Sequence, residues 1–237
     1  MSINSLSSIV VSGLEIIIER KDIKNLHIGV YPPNGKIRVA TPLKLNDEAV
    51  RLAVISRLSW IKKQQQSFLK QPRQSKREMI TGESHYFFGK RYLLDVKYQN
   101  AKYEIIKKHS KLQLFVKENT TVENRLKVLE KYYRDNLTIE LDKLINKWQN
   151  TIEIKIDSWK IQKMKTQWGS CNIEDKRLIF NLELAKVPID CIEYIVVHEM
   201  LHLLERHHNY NFKVLMDKYL SDWQSRKEEL KGIYISV

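Results

Sequence analysis

The segment His198-Glu199-Met200-Leu201-His202 holds the residue types of this chain that are best suited to metal chemistry. Its two histidines are four residues apart, so on an α-helix their imidazoles lie about 40° apart and can bind one metal ion together. Glu199 lies about 100° around the helix from His198, where its carboxylate can take a proton from metal-bound water. The spacing therefore predicts a zinc ion bound by His198 and His202, with Glu199 as the catalytic base.

A catalytic zinc site uses three protein ligands and keeps one position open for water, so a third ligand must follow His202. His208 completes the pattern H-E-x-x-H-x5-H, which has the ligand spacing of the metzincin pattern. The metzincin pattern has a glycine where the chain turns, whereas this chain has Glu205, so the turn must form differently. His208 is the predicted third ligand, and His207 and Glu205 are the alternatives.

A helix must carry the two histidines if they are to bind one ion. Pro188 suits the first turn of a helix, and Ile192, Ile195 and Val196 recur after it at helical spacing. We therefore predict that the metal-binding segment lies on a largely buried helix that begins near residue 188.

The composition favours a soluble protein with a basic surface. A length of 237 residues suits one large domain or two small ones. Cys171 and Cys191 give no disulfide framework, and no apolar run approaches the roughly 18 residues of a membrane span. No signal-like segment opens the chain, so a cytoplasmic location without membrane attachment is expected. The net charge of +13 attracts polyanions such as nucleic acid, although scattered, solvated lysines explain it equally well.

Short apolar runs separated by turn residues predict a β-rich N-terminal half. The predicted strands are residues 9–11, 14–18, 26–30, 37–39, 86–88, 92–96, 103–106 and 112–116. The last four have the spacing of an antiparallel meander. Between the two groups, Asn46 can cap a helix that runs to about Leu69. No internal repeat is evident.

The C-terminal half begins with the longest predicted helix. Thr120-Thr121-Val122-Glu123 is a capping box, and an apolar stripe runs from Leu126 to Trp148. We place a domain boundary before this helix. The predicted domains are therefore residues 1–118 and residues 119–237.

Two strands are predicted after this helix, at residues 152–156 and 177–184, on either side of the loop at 167–172. Cys171 in the loop is a zinc ligand, a nucleophile paired with a histidine, or a buried thiol, and the buried thiol is favoured because no second cysteine lies at metal spacing. Strand 177–185 precedes the metal-binding helix, so we also predict that an extended substrate pairs along it.

Several of these segments together resemble the YgjP-like family of bacterial zinc metallopeptidases, which are relatives of the SprT-like proteins. The similar segments are residues 59–64, 82–92, 163–171, 181–184, 195–202 and 208–212. They cover most of the chain and are more specific than the H-E-x-x-H pattern alone. The chain departs from the family at Gln167, where the family usually has arginine before Trp-Gly-Ser-Cys.

The resemblance implies a zinc-dependent peptidase in which His198, His202 and His208 bind Zn²⁺ and Glu199 is the base. It also implies an α+β fold, with a β-rich N-terminal domain and a C-terminal minimal zincin domain of a long helix, a small antiparallel sheet and the active-site helix. The substrate would be a peptide or protein, and no particular substrate is implied. Tyr210, close to His208, is a candidate for stabilising the oxyanion.

Other functions fit parts of the pattern. One is a nucleic-acid-associated basic protein with zinc in a structural role, and another is a catalytically silent scaffold. The intact Glu199 argues against both, because a structural zinc site is closed by four protein ligands and does not use a neighbouring carboxylate. A third is a protease that acts on DNA-bound proteins, as some SprT-like relatives do.

Overall fold

The computed structural model of the chain describes residues 5–31, 34–70 and 77–233. The chain divides into two compact units between residues 73 and 74. Both units combine β-sheets with α-helices, and the predicted α+β fold with a β-rich N-terminal part is confirmed. Among the described residues, no helix combines the length and apolar character needed to cross a bilayer.

The division between the units lies well before the boundary predicted at residue 118. The second group of strands buries Phe87, Leu94 and Leu114 in one core with residues of the longest helix, such as Leu137. Burial of these apolar side chains holds the strands to the helix. The unit that contains the H-E-x-x-H segment therefore includes a complete sheet that the sequence analysis placed in the N-terminal domain.

The first unit is a four-stranded sheet with two helices. Its elements are β1 (Ser5–Val11), β2 (Leu14–Lys21), β3 (His27–Tyr31), β4 (Lys36–Pro42), α1 (Asp47–Ser56) and α2 (Leu58–Lys70). The strand order is β1-β2-β4-β3, with β2 and β4 parallel. Asn46 caps α1 as predicted, because its side chain accepts a hydrogen bond from the Ala49 N–H at 2.9 Å. The single helix predicted up to Leu69 is interrupted at Arg57 and forms two helices.

The second unit opens with another four-stranded sheet. Its strands are β5 (Ser84–Phe87), β6 (Lys90–Tyr98), β7 (Glu104–Lys108) and β8 (Lys111–Val116), in the order β5-β6-β8-β7. The predicted antiparallel meander is wrong, because β6 and β8 are parallel. Two hairpins form, and their inner strands pair with each other so that Leu94, Leu112 and Leu114 enter the same core.

The two four-stranded sheets have the same strand order and the same kind of first turn. Ser12-Gly13 and Phe88-Gly89 join the first hairpins, with φ of 50° and 79° in the first turn and 45° and 75° in the second. In the first unit, the helix cap Asn46 lies ten residues after the first residue of β4. In the second unit, the helix cap Thr121 lies ten residues after the first residue of β8. The structure thus contains a repeat that the sequence does not reveal, because the residue identities differ between the two sheets.

The remaining elements contain the H-E-x-x-H segment or surround it. They are α3 (Val122–Ile152), β9 (Ser158–Gln162), β10 (Gly169–Asn172), β11 (Arg177–Asn181), a 3₁₀ helix (Leu182–Lys186), α4 (Ile189–Leu201), α5 (Tyr210–Tyr219) and α6 (Trp223–Lys231). The small sheet has the order β10-β11-β9. It is mixed, whereas the resemblance implied an antiparallel sheet, because β11 pairs in parallel with β9.

Both strands predicted beside the loop at 167–172 differ from the structure. Residues 152–156 do not form a strand, because α3 continues to Ile152 and ends at Glu153, whose φ is 61°. Ile152 and Ile156 are buried in the core, which explains the apolar alternation. The strand predicted at 177–184 ends at Asn181, whose side chain accepts a hydrogen bond from the Glu183 N–H and starts the 3₁₀ helix.

Helix α4 is fixed by one buried carboxylate. Glu193 Oε1 accepts hydrogen bonds from Trp148 Nε1 at 3.0 Å and Lys147 Nζ at 2.7 Å, both on α3, and its Oε2 accepts one from Arg226 on α6 at 2.6 Å. Burial raises the pKa of Glu193, but the bonds from Lys147, Arg226 and Trp148 outweigh it, so the net shift is downward. The ionised carboxylate therefore joins three helices and fixes the orientation of α4.

Candidate active site

The structure brings together the three histidines that the sequence analysis selected. His198 is on the last turn of α4, His202 directly follows this helix, and His208 lies between α4 and α5. Within the described part of the chain, their ligand atoms form the group that could hold a metal ion, and these atoms lie within 4.8 Å of one another. His198 Nε2 and His208 Nε2 are 2.9 Å apart. His207 is exposed and does not belong to this group.

The aromatic ring of Phe212 supports all three imidazoles. Its centroid is 5.0 Å from that of His198 and 4.9 Å from those of His202 and His208. Phe212 is buried on the first turn of α5, where its N–H donates to the side chain of Asn209. No role for Phe212 was predicted from the sequence. The feature of the sequence that could have identified it is an aromatic residue four positions after His208.

Glu205 shapes the turn between the second and third histidines. Its backbone carbonyl lies 3.1 Å from His202 Nδ1, and a carbonyl can only accept, so Nδ1 carries the proton. His202 Nε2 is then the nitrogen with a free lone pair, and it is the ring atom available to a metal. The Glu205 carboxylate accepts a hydrogen bond from the His207 N–H at 3.2 Å. Hydrogen bonds of the Glu205 backbone and side chain thus stabilise the turn at the position where the metzincin pattern has glycine.

The electrostatic environment favours the neutral forms of His198 and His208. Burial, followed by the charges of the neighbouring histidines, lowers the pKa of His198 to about 3. Burial also lowers the pKa of His208, with a further contribution from His202. Neutral imidazole is the form that binds metal, and the clustered ligand atoms of the three residues offer three nitrogen ligands to a zinc ion.

Glu199 lies beside the histidines but is buried. It is 7% exposed, and desolvation raises its pKa to about 8. Strand β10 passes close to it, because a Cβ added to Gly169 would meet atoms of the Glu199 side chain first. The structure therefore places a carboxylate with a raised pKa next to β10, in the same cleft as the cluster of histidines.

An open cleft of about 970 Å³ lies over these residues. One part of its lining comes from residues 167–174 and another from Leu203, Leu204 and Arg206, with His198, Glu199, His202 and His208 also contributing. Tyr210, the oxyanion candidate, is 78% exposed and is not in this lining. Cys171 lines the cleft, but burial and the charge of Glu199 raise its pKa to about 11, which favours the thiol over a nucleophilic thiolate.

Asn181 holds the segment that leads into β10. Its side chain is fully buried and donates hydrogen bonds to the carbonyls of Met164 at 2.8 Å and Gln167 at 2.7 Å. Its Oδ1 accepts a hydrogen bond from the Met164 N–H at 3.3 Å. This role of Asn181 was not predicted from the sequence, although a buried amide at the end of an apolar strand requires such partners.

Known proteins that resemble this chain include metallopeptidases. The model of a family described as YgjP-like, metallopeptidase domain, matches residues 24–232. No curated protein matches the chain. Similar solved structures include two metallopeptidase zymogens. Abylysin of Pyrococcus abyssi has 12% identity and a TM-score of 0.37, over 39% of this chain and 92% of that chain. Jannalysin of Methanocaldococcus jannaschii has 23% identity and a TM-score of 0.35, over 39% of this chain and 86% of that chain. Because the family model spans most of its length, this chain belongs to the YgjP-like family and contains the metallopeptidase domain of that family.

Proposed function

We propose that this protein hydrolyses peptide bonds with a zinc ion bound by His198, His202 and His208. The observation that carries the proposal is the convergence of three imidazoles beside the buried Glu199. The described residues offer three ligands rather than the four of a closed structural site, which leaves a coordination position for catalysis. Zinc bound there would supply a Lewis acid that polarises a carbonyl and acidifies a water molecule.

Glu199 is the proposed general base. Burial favours its neutral form, whereas the positive charge of a bound zinc ion favours the carboxylate. The side chain therefore becomes a base when the site is loaded, and it lies in the wall of the cleft where substrate enters. It accepts a proton from the attacking water and can then deliver that proton to the leaving amine.

The strand predicted to bind substrate is not available for this role. Strand β11 is paired on both edges, with β10 on one side and β9 on the other, so the prediction of an extended substrate along residues 177–185 is wrong. Strand β10 is at the edge of this sheet among the described residues, and all four of its residues line the cleft. We therefore propose that the substrate pairs with the free edge of β10, beside Glu199.

The proposal gives the positive charge no catalytic role. The net charge of +13 does not identify a partner, and the family match is to a peptidase domain. A scattered basic surface explains the charge without a nucleic-acid site. Peptide hydrolysis is therefore the function that the geometry supports best.

The proposal can be tested with a mixture of unstructured peptides of varied sequence. We expect the zinc-loaded protein to produce new amino termini, detected by mass spectrometry, because the cleft and the edge of β10 admit an extended chain. A chelator such as 1,10-phenanthroline should reduce cleavage to background, and added zinc should restore it. Absence of cleavage by protein that holds one zinc ion per chain would reject the peptidase function.

The position of the substrate can be tested with one cleaved peptide from this mixture. Methylation of single backbone nitrogens next to the scissile bond should lower kcat/KM by about 3- to 10-fold where a hydrogen bond to β10 is lost. The control is the same methyl group placed far from the scissile bond. Equal kcat/KM values for all methylated peptides would argue against pairing with β10.

A further inference from the structure

Gly169 is the first residue of β10 and faces helix α4. It lies opposite Phe180 in the antiparallel pair with β11, and Cys171 lies opposite Leu178. Directly opposed residues of an antiparallel pair share one face of the sheet, and Phe180 and Leu178 are fully buried. The Gly169 position is therefore directed towards the interior, where α4 carries Glu199.

A side chain at residue 169 would collide with the proposed base. A Cβ built on Gly169 would lie 2.7 Å from Glu199 Cγ, 2.7 Å from Glu199 Oε1 and 3.0 Å from Glu199 Cδ. These three are the nearest atoms, and all belong to one side chain. Separations this short lie well inside van der Waals contact, so Glu199 would have to move.

The backbone conformation at residue 169 does not require a glycine. Gly169 is absent from the glycines with positive φ, which are Gly13, Gly35, Gly82 and Gly89. An alanine could therefore adopt the same φ and ψ without strain. The close approach of β10 to Glu199 is the physical reason for glycine at this position.

We propose that Gly169 is a positioning residue that sets the location of the Glu199 carboxylate. Its bare Cα lets the carboxylate lie against β10, so the base is held next to the strand that is proposed to bind the substrate. The inference rests on the proposed function, in which Glu199 is the base. It also gives a role to the glycine of the Trp168-Gly169-Ser170-Cys171 segment.

The role predicts a specific kinetic defect. An alanine methyl group would displace the carboxylate by about 1 Å, because the 2.7 Å approaches must lengthen to ordinary van der Waals contact. A displacement of that size can cost about 10²-fold in rate. Substrate binding by the edge of β10 does not depend on the carboxylate, so KM should change little.

The first test compares Gly169→Ala with the wild type and with Gly232→Ala. Gly232 is a matched control because it also has ordinary negative φ, and its added Cβ would meet only one backbone oxygen, at 3.3 Å. We expect Gly169→Ala to retain one zinc ion per chain and to lose about 10²-fold in kcat with a similar KM. Gly232→Ala should retain full kcat. A wild-type kcat in Gly169→Ala would overturn the inference, whereas an inactive wild type would reject the proposed function itself.

The second test asks whether the defect acts through Glu199. Shortening the base to Glu199→Asp should lower kcat strongly in the wild type, but much less in the Gly169→Ala background, because the shorter side chain leaves room for the methyl group. If the kcat loss of the double variant equalled the product of the losses caused by Glu199→Asp and Gly169→Ala alone, Gly169 would not act through Glu199.

The third test uses stability and needs no activity. Gly169→Ala should lower the Tm of the protein by several degrees, and this loss should largely disappear in the Glu199→Ala background, where the colliding atoms are gone. This cycle applies even if Gly169→Ala alone folds poorly. An equal loss of Tm or of folded protein in both backgrounds would show that the methyl group meets something other than Glu199.

Discussion

Replacing Glu199 with glutamine is expected to lower kcat for peptide hydrolysis by about 10²- to 10⁴-fold while the protein still binds zinc. Glutamine has nearly the same shape, so the fit against Gly169 is preserved, but its amide cannot accept a proton at neutral pH. The carboxylate does not belong to the cluster of potential metal ligands, which explains why zinc should remain. Steady-state kinetics together with zinc content measured by plasma mass spectrometry would check both parts.

The matched comparison for Glu199→Gln is His202→Ala. This variant should lose both zinc and hydrolysis, because the His202 imidazole is held by the Glu205 carbonyl with Nε2 free for the metal. The contrast separates the base from a ligand. Full hydrolytic activity in Glu199→Gln would show that the proposed mechanism is wrong.

The second large effect is expected at His208. His208→Ala should weaken zinc binding by more than about 100-fold, because it removes one of three proposed ligands, whereas loss of a residue that only supports a ligand costs about 10- to 100-fold. The adjacent His207→Ala should leave zinc affinity nearly unchanged, since His207 is exposed and lies outside the cluster. Competition titration with a chromophoric zinc chelator would measure both affinities.

The pair of variants also tests the sequence alternatives for the third ligand. Equal zinc loss in His207→Ala and His208→Ala would leave neither residue as the single third ligand. Loss in His207→Ala alone would reverse the proposal. His208 Nε2 lies 2.9 Å from His198 Nε2, which is the structural reason for expecting His208 to be essential for zinc binding. His207 lies outside the cluster and should be dispensable.

The sequence predicts the parts of the site that lie on one local element. The spacing of His198 and His202 on a helix depends only on helical geometry, and the buried helix α4 appears where Pro188 and the apolar periodicity indicated. The position of His208 beside them depends on a turn built from Glu205 contacts. No local rule predicts such a turn, so the sequence left His207 and Glu205 open as alternatives.

Features that depend on long-range pairing were not predicted. The parallel pairing of β9 with β11 and of β6 with β8 joins segments that are distant in sequence, and apolar alternation reads the same for either direction. The roles of Asn181, Phe212 and Gly169 likewise come from contacts with other elements. Ile152 misled the strand prediction because its burial at the end of α3 mimics alternation.

X-ray absorption at the zinc edge of the purified protein would test the proposed metal centre most directly. We expect about one zinc ion per chain with three imidazole nitrogens at about 2.0–2.1 Å and one oxygen from water, which is the coordination of a catalytic site. Four protein ligands, a sulfur ligand such as Cys171, or a protein that binds no zinc would contradict the proposed peptidase centre.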